Sequence, residues 1–73
     1  MAKKGESGVY RVTEVIGTSN NSWEDAAKNA VQTAAGTIRD LRIAEITKLD
    51  MRLEEGKVIQ YRARVSLSFK YEH

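Results

Sequence analysis

Gly17-Thr18-Ser19-Asn20-Asn21-Ser22-Trp23 joins two stretches of opposite periodicity, and its reading decides the fold. Glycine takes φ > 0 at no steric cost, so Gly17 suits a sharp turn. Thr18, Ser19 and Asn21 or Ser22 carry side-chain oxygens that can accept from the free N–H groups opening a helix. The joint therefore predicts a strand before it and a helix after it. Those hydroxyls also suit an anion at a helix start, but no full Gly-rich phosphate motif accompanies them, and local capping is the expectation.

Upstream, Val9 to Ile16 is rich in β-branched residues, with Tyr10, Val12, Glu14 and Ile16 alternating with Val9, Arg11, Thr13 and Val15. This reads as a first strand. Downstream, Trp23, Ala27, Ala30, Val31, Ala34, Ile38 and Leu41 recur at three- and four-residue spacing. That pattern predicts an amphipathic helix of about five turns. Trp23 at its first turn reads as a packing anchor. Gly36 falls inside the pattern and marks either a close helix contact or a tolerated weakness, since glycine costs ~1 kcal/mol relative to alanine in a helix.

Ile43 to Leu53 reads as a second strand, and Glu54-Glu55-Gly56-Lys57 as a hairpin loop of about four residues. The third strand is the clearest element. Ile59, Tyr61, Ala63, Val65, Leu67, Phe69 and Tyr71 alternate with Gln60, Arg62, Arg64, Ser66, Ser68 and Lys70, giving one apolar and one polar face. Strand, helix, strand, strand is an α+β unit of β-α-β-β order. Its three-stranded antiparallel sheet, in order 1-3-2, packs on one helix, with the third strand antiparallel to both neighbours and a right-handed crossover. Residues 1–8 read as a mobile N-terminal tail and 9–73 as the domain.

The third strand spans ~45 Å at ~3.4 Å per residue, against ~27 Å for the helix at 1.5 Å per residue. The helix therefore leaves an overhang uncovered. Its inward positions are largely alanine, which supplies little apolar area. Ile43, Leu49, Met51 and Leu53 lie on the opposite parity to Ala44 and Ile46, so the second strand is expected to be apolar on both faces. With 73 residues and no cysteine, the chain has neither a large private core nor a disulfide to replace one. Other copies are the natural cover, and a homo-oligomer is expected.

A net charge of +2 is too small to name a partner, and no basic stretch is interleaved with several aromatics, so nucleic-acid binding is not expected. No apolar run approaches the ~20 residues of a membrane span. Met-Ala-Lys-Lys-Gly-Glu lacks the apolar segment of a signal peptide, and the expected location is cytoplasmic. Catalysis has little to stand on. The single histidine is His73, at the end of the sequence, and Ser66 and Ser68 on the polar face of a strand have no candidate imidazole base, so no catalytic residue is assigned and an enzyme is not expected.

From about Tyr10 to Tyr71, the valine-rich strand, the Gly-Thr-Ser joint and the Ala-Ala of the helix resemble the dodecins. These are small flavin-binding proteins that assemble as hollow twelve-subunit shells. The resemblance implies a storage-type homododecamer and a pocket for riboflavin or FMN at Ile43, Glu45 and Arg62. Flavin-binding members carry a ring-stacking tryptophan in a stretch that here reads Leu41-Arg42-Ile43-Ala44-Glu45-Ile46. A glutamine that bonds the flavin's polar edge falls, by the same resemblance, at Arg62 in Tyr61-Arg62-Ala63. Isoleucine covers a ring without offering a π face, which forgoes ~0.5–1.5 kcal/mol of aromatic pairing per contact.

Ser22-Trp23-Glu24, Asp50-Met51 and the ending Val65-Ser66-Leu67-Ser68-Phe69-Lys70 are more similar to a tryptophan-less branch called calcium dodecins. That branch implies a cation. Calcium needs six to eight oxygens at ~2.3–2.6 Å, and the chain has no EF-hand loop, so a site must combine carboxylates across strands or subunits. Asp50 and Glu14 are the first candidates, with Glu45 behind them. The competing reading is ion pairing with Arg42, Arg52, Arg62 or Arg64.

Overall fold

The computed structural model describes residues 8–70, so most of the expected tail, together with Tyr71 and His73, lies outside the described residues. In chain order the elements are β1 (Tyr10–Ser19), α1 (Trp23–Ala35), β2 (Leu41–Glu54) and β3 (Lys57–Lys70). The sheet order is β1-β3-β2, with β3 antiparallel to both neighbours, as the periodicities predict.

The joint is built differently from its sequence reading. β1 runs on through Gly17 to Ser19, and the chain turns only at Asn20-Asn21. Gly17 is not in the left-handed region; it is needed because the helix backbone lies directly on it. A Cβ there would sit 2.8 Å from Ala30 Cβ and 2.9 Å from Ala30 N, and closer still to the Ala26 carbonyl oxygen. Ser22 is the N-cap, its Oγ accepting from Asp25 N–H at 3.0 Å. Ser19, 8% exposed, donates from Oγ to Asp25 Oδ2 at 2.8 Å and accepts from Asn21 N–H at 2.8 Å.

The helix is shorter than predicted. It ends at Ala35 with Gly36 as C-cap, and the N–H groups of Thr37 and Ile38 both close on the Ala34 carbonyl, at 3.0 and 2.8 Å. Ile38 and Leu41 nevertheless pack on the core. Their spacing matched the helical period although the chain had already left the helix, which is why the pattern overran.

The hairpin is also tighter than predicted. Glu54 pairs with Lys57, leaving a two-residue loop whose members, Glu55 (φ 51°) and Gly56 (φ 78°), both have positive φ. Type I′ turns demand this, and it matches the right-handed twist of the flanking strands.

β2 corrects a further expectation. Ile46 pairs with Val65 and Lys48 with Arg64, so Thr47 is an extra residue and the strand's parity flips there. Paired residues share a face. Leu49 and Met51, opposite Ala63 and Tyr61, therefore stand on the same side as Ala44 and Ile46, the side that carries the helix. From Ala44 to Met51 the apolar residues therefore form one row, Asp50 is turned to the other face, and of the residues expected opposite Ala44 and Ile46, Ile43 does stand there.

The helix lies on β1 and β3 and barely reaches β2. The buried core is Ala26, Ala27, Ala30 and Ala34 against Ala63, Val65 and Leu67, and only Val65 and Leu67 among its larger side chains are fully enclosed. Ile46, Leu49 and Met51 stay 51%, 50% and 44% exposed. The chain is accordingly long, 58 × 20 × 16 Å. Its radius of gyration of 15.3 Å exceeds the about 11 Å of a compact domain of this length.

Candidate functional site

The sheet face turned away from the helix carries the candidate residues. Register places them in rows across the strands: Val12, Ser68 and Ile43; then Glu14, Ser66 and Glu45; then Ile16, Arg64 and Lys48; then Thr18, Arg62 and Asp50. All five candidate positions, Glu14, Ile43, Glu45, Asp50 and Arg62, fall on this one face. Sequence alternation alone would have put Asp50 on the opposite side from Ile43 and Glu45. The Thr47 bulge brings it round, and Thr47 Oγ1 donates to the Arg64 carbonyl at 3.2 Å beside it.

Sharing a face does not gather these residues. Ile43 lies opposite Ser68, six residues along β3 from Arg62, or roughly 20 Å at ~3.4 Å per residue. Glu45 stands between them, in the row of Ser66. Glu14 and Glu45 flank Ser66 from opposite strands, roughly 10 Å apart at ~4.8 Å per strand spacing. Asp50 and Glu14 are both two rows and two strands apart.

Asp50 and Arg62 do meet. Arg62 donates from Nε to Oδ1 at 2.7 Å and from Nη2 to Oδ2 at 3.0 Å, a two-pronged pair of the kind planar guanidinium favours. Those bonds hold the Asp50 carboxyl below its ordinary value and raise Arg62, with the charges of Arg64 and Lys48 adding to the pull on Asp50. Glu14 meets Arg64 through Nη1–Oε1 at 3.3 Å. Both pairs are well exposed, so they orient side chains more than they stabilise the fold.

A contact invisible in the sequence fixes this end of the face. Trp23 Nε1 donates to the Asp50 carbonyl at 2.9 Å, and its ring meets Tyr61 edge-on, 5.2 Å between centroids at 72°. Trp23 is thus the packing anchor expected, and its indole ties the helix start to mid-β2. The parity break between Ile46 and Leu49 was the available signal for the bulge; the indole bond had none.

The residues do not fit a flavin sandwich within this chain. Ile43, 55% exposed, has no aromatic face to offer, and Arg62 has its Nε and Nη2 turned to Asp50. A chain-private calcium site does not fit either. Among the described residues no group of three or more histidine, cysteine, aspartate or glutamate side chains stands close enough to hold a metal ion. Nor is any helix among them long and apolar enough to cross a membrane.

Comparison with known proteins places this arrangement. The family model described as Dodecin matches residues 9–72. Calcium dodecin of Mycobacterium tuberculosis (strain ATCC 25618 / H37Rv) is 44% identical over 62 residues, covering 85% of this chain and 87% of its own. The structure of dodecin from Streptomyces coelicolor superposes with a TM-score of 0.84 at 38% identity, over 90% of this chain and 94% of that one. The calcium-chelating immunodominant antigen calcium dodecin of M. tuberculosis, solved with a novel calcium-binding site, gives a TM-score of 0.78 at 42% identity, over 88% and 91%. A β-α-β-β chain with an order 1-3-2 sheet, a glycine pressed under its helix and this near-complete match belongs to the dodecin family.

Proposed function

We propose that this protein is a non-enzymatic, cytoplasmic, homo-oligomeric shell, twelve-subunit as the family resemblance implies, that sequesters a small ligand or ion, and that a divalent cation is preferred to a flavin. The observation that carries the preference is Ile43. It stands half exposed on the open sheet face, at the position to which the family resemblance assigns the ring-stacking tryptophan. The carboxylates we assign to the cation are Asp50 and Glu14, with Glu45 on the same face, and the 44% identity to a calcium dodecin supports a cation as the ligand. Ile43, Glu45 and Arg62 remain the positions a flavin would contact. A purely structural assembly is the second reading, favoured by the arginine that each of Asp50 and Glu14 already holds.

Native mass spectrometry with a visible spectrum, followed by calcium calorimetry and riboflavin fluorescence titration, tests this reading. The expected result is a large oligomer, calcium heat that falls in Asp50→Asn or Glu14→Gln, and flavin affinity at least ~100-fold below that of a tryptophan-bearing dodecin, since two to three kcal/mol of lost contacts give that factor. Tight flavin quenching by the unmodified protein reverses the preference. A one-subunit mass at micromolar concentration removes the shell. An oligomer that binds neither leaves the structural reading.

A further inference from the structure

We infer that Trp23 is a positioning residue for Asp50: its indole sets where the carboxylate stands against Arg62, and through that placement how tightly the carboxylate holds a cation. The second half rests on the cation reading above. The need for such a residue follows from how β2 is held. From Lys48 to Glu54 every residue of the strand is exposed, and the helix packs mainly on β1 and β3. Asp50 also lies between two breaks in register, one at Ile46/Lys48 and one at Arg52/Leu53. A bulge interrupts the ladder and bends the strand that carries it, so strand pairing by itself holds this stretch weakly.

The helix supplies the hold at one row of the sheet. Thr18, Arg62 and Asp50 lie across from one another on β1, β3 and β2. At one end of that row Asn29 Nδ2 donates to the Thr18 carbonyl at 3.0 Å, and at the other Trp23 Nε1 donates to the Asp50 carbonyl at 2.9 Å. Both donors come from α1, so one helix clasps the two outer strands at the row that carries the fork. The indole does more than the amide, because its ring also meets Tyr61 edge-on at 5.2 Å, and Tyr61 is the chain neighbour of Arg62. One side chain thus bears on the backbone of the acid and on the residue beside the base, while the two charges meet at 2.7 and 3.0 Å. A two-pronged pair is geometrically exacting, so a shift of either backbone opens it. Removing a contact that orients a metal-binding residue typically costs ~10–100-fold in affinity, and since Trp23 bonds the main chain and not the carboxylate, the lower end is expected here.

Trp23 is the chain's single tryptophan, so its indole N–H resonance and its fluorescence report this contact alone. The first experiment needs no ligand. In the full-length protein Arg62→Gln opens the fork without touching Trp23, and the indole resonance and emission maximum are expected to shift. Asp40→Asn, which breaks the exposed pair with Arg42 just before β2, is the control and is expected to shift neither. An indole signal unchanged in Arg62→Gln overturns the inference, as does an equal change in Asp40→Asn. The second experiment is calorimetry with calcium chloride on the wild type, Trp23→Phe, Asp50→Asn and the double variant, each shown by sedimentation to keep the wild-type mass. Phenylalanine keeps a ring against Tyr61 and removes the donor. Trp23→Phe is expected to bind calcium about tenfold more weakly. In the Asp50→Asn background the same change is expected to cost less than about twofold, because residues that act through one another are not additive. Losses that simply add overturn the inference, as does wild-type affinity in Trp23→Phe. If Trp23→Phe fails to assemble, or Asp50→Asn leaves no calcium heat to compare, the indole experiment decides alone. A wild type without calcium heat whose indole responds to Arg62→Gln overturns the cation reading and upholds the placement of Asp50 by Trp23.

Discussion

A methyl group on Gly17 would collide with helix backbone on the Ala26 carbonyl and with Ala30, and neither is the flexible end of a side chain. Gly17→Ala should therefore force β1 and α1 apart and cost about 1–3 kcal/mol or more, the usual range for overpacking. Gly36 is the control. It has φ −70° in the right-handed helical region, and a Cβ there meets only Thr33 O at 3.3 Å. Gly36→Ala should be near neutral or stabilise by up to about 1 kcal/mol by restricting the unfolded chain. Thermal melts of the two variants should move in different directions or differ greatly in size; equal losses would mean that the helix does not rest on Gly17. Asp50 sets a second residue-scale test. Its folded pKa lies below the ordinary 3.8, chiefly through the hydrogen bonds from Arg62. A depressed carboxyl contributes stability that is present above the unfolded value and lost as pH falls through the folded one. Asp50→Asn should flatten the acid limb of the stability curve below about pH 4, and denaturant melts across that limb would show it; an unchanged limb would mean that the pair does not persist in solution.

At the scale of elements, the start of the helix depends on local polar chemistry. Ser22 Oγ takes the Asp25 N–H, and Ser19 Oγ takes that of Asn21 while donating to the Asp25 carboxylate. Ser22→Ala should cost about 1 kcal/mol, the typical loss for an N-cap, with Ser22→Asp recovering most of it. A chemical denaturation midpoint unchanged by the alanine variant would remove Ser22 as the cap. The bulge at Thr47 matters more for the site. It turns Asp50 toward Arg62 and lines Leu49 and Met51 up with Ile46, so beyond Ile43 the apolar residues of mid-β2 share one face and Glu45, Lys48 and Asp50 the other. Deleting Thr47 would restore parity and exchange those two sets beyond the deletion.

For the whole molecule, the decisive quantity is how little the chain encloses. Two large side chains, Val65 and Leu67, are fully buried, while eleven large hydrophobic residues are exposed among those described. A single copy has little to set against the conformational entropy of a 14-residue β3. Leu67→Ala should cost about 2–5 kcal/mol, as core truncations do, and should lower both the melting temperature and the oligomer population. Leu49→Asp, half exposed in one copy, should leave the far-UV spectrum of a dilute sample similar but abolish large species in sedimentation. A large oligomer surviving in Leu49→Asp would show that the β2 row faces solvent in the assembly.

The sequence by itself determined the element order and the one-helix, one-sheet architecture, and it allowed the strand pairing that the structure has. Strict alternation in Ile59–Phe69 and three-to-four spacing in Trp23–Ala34 identify a strand and a helix, and the element order allows the central β3 that the structure adopts. It also carried the need for partners, legible in the alanine-rich helix and the strand that outruns it. Tertiary structure decided what periodicity cannot express. Gly17 is required by a helix crossing from elsewhere in the chain, Ile38 and Leu41 reach the core from outside the helix, and Asp50 faces Arg62 because one extra residue at Thr47 resets the pleat. The candidate positions were readable as residue types, but their separation of up to roughly 20 Å within one subunit was not. Distance across a sheet is set by register and strand spacing, and a register exists only once the strands have paired.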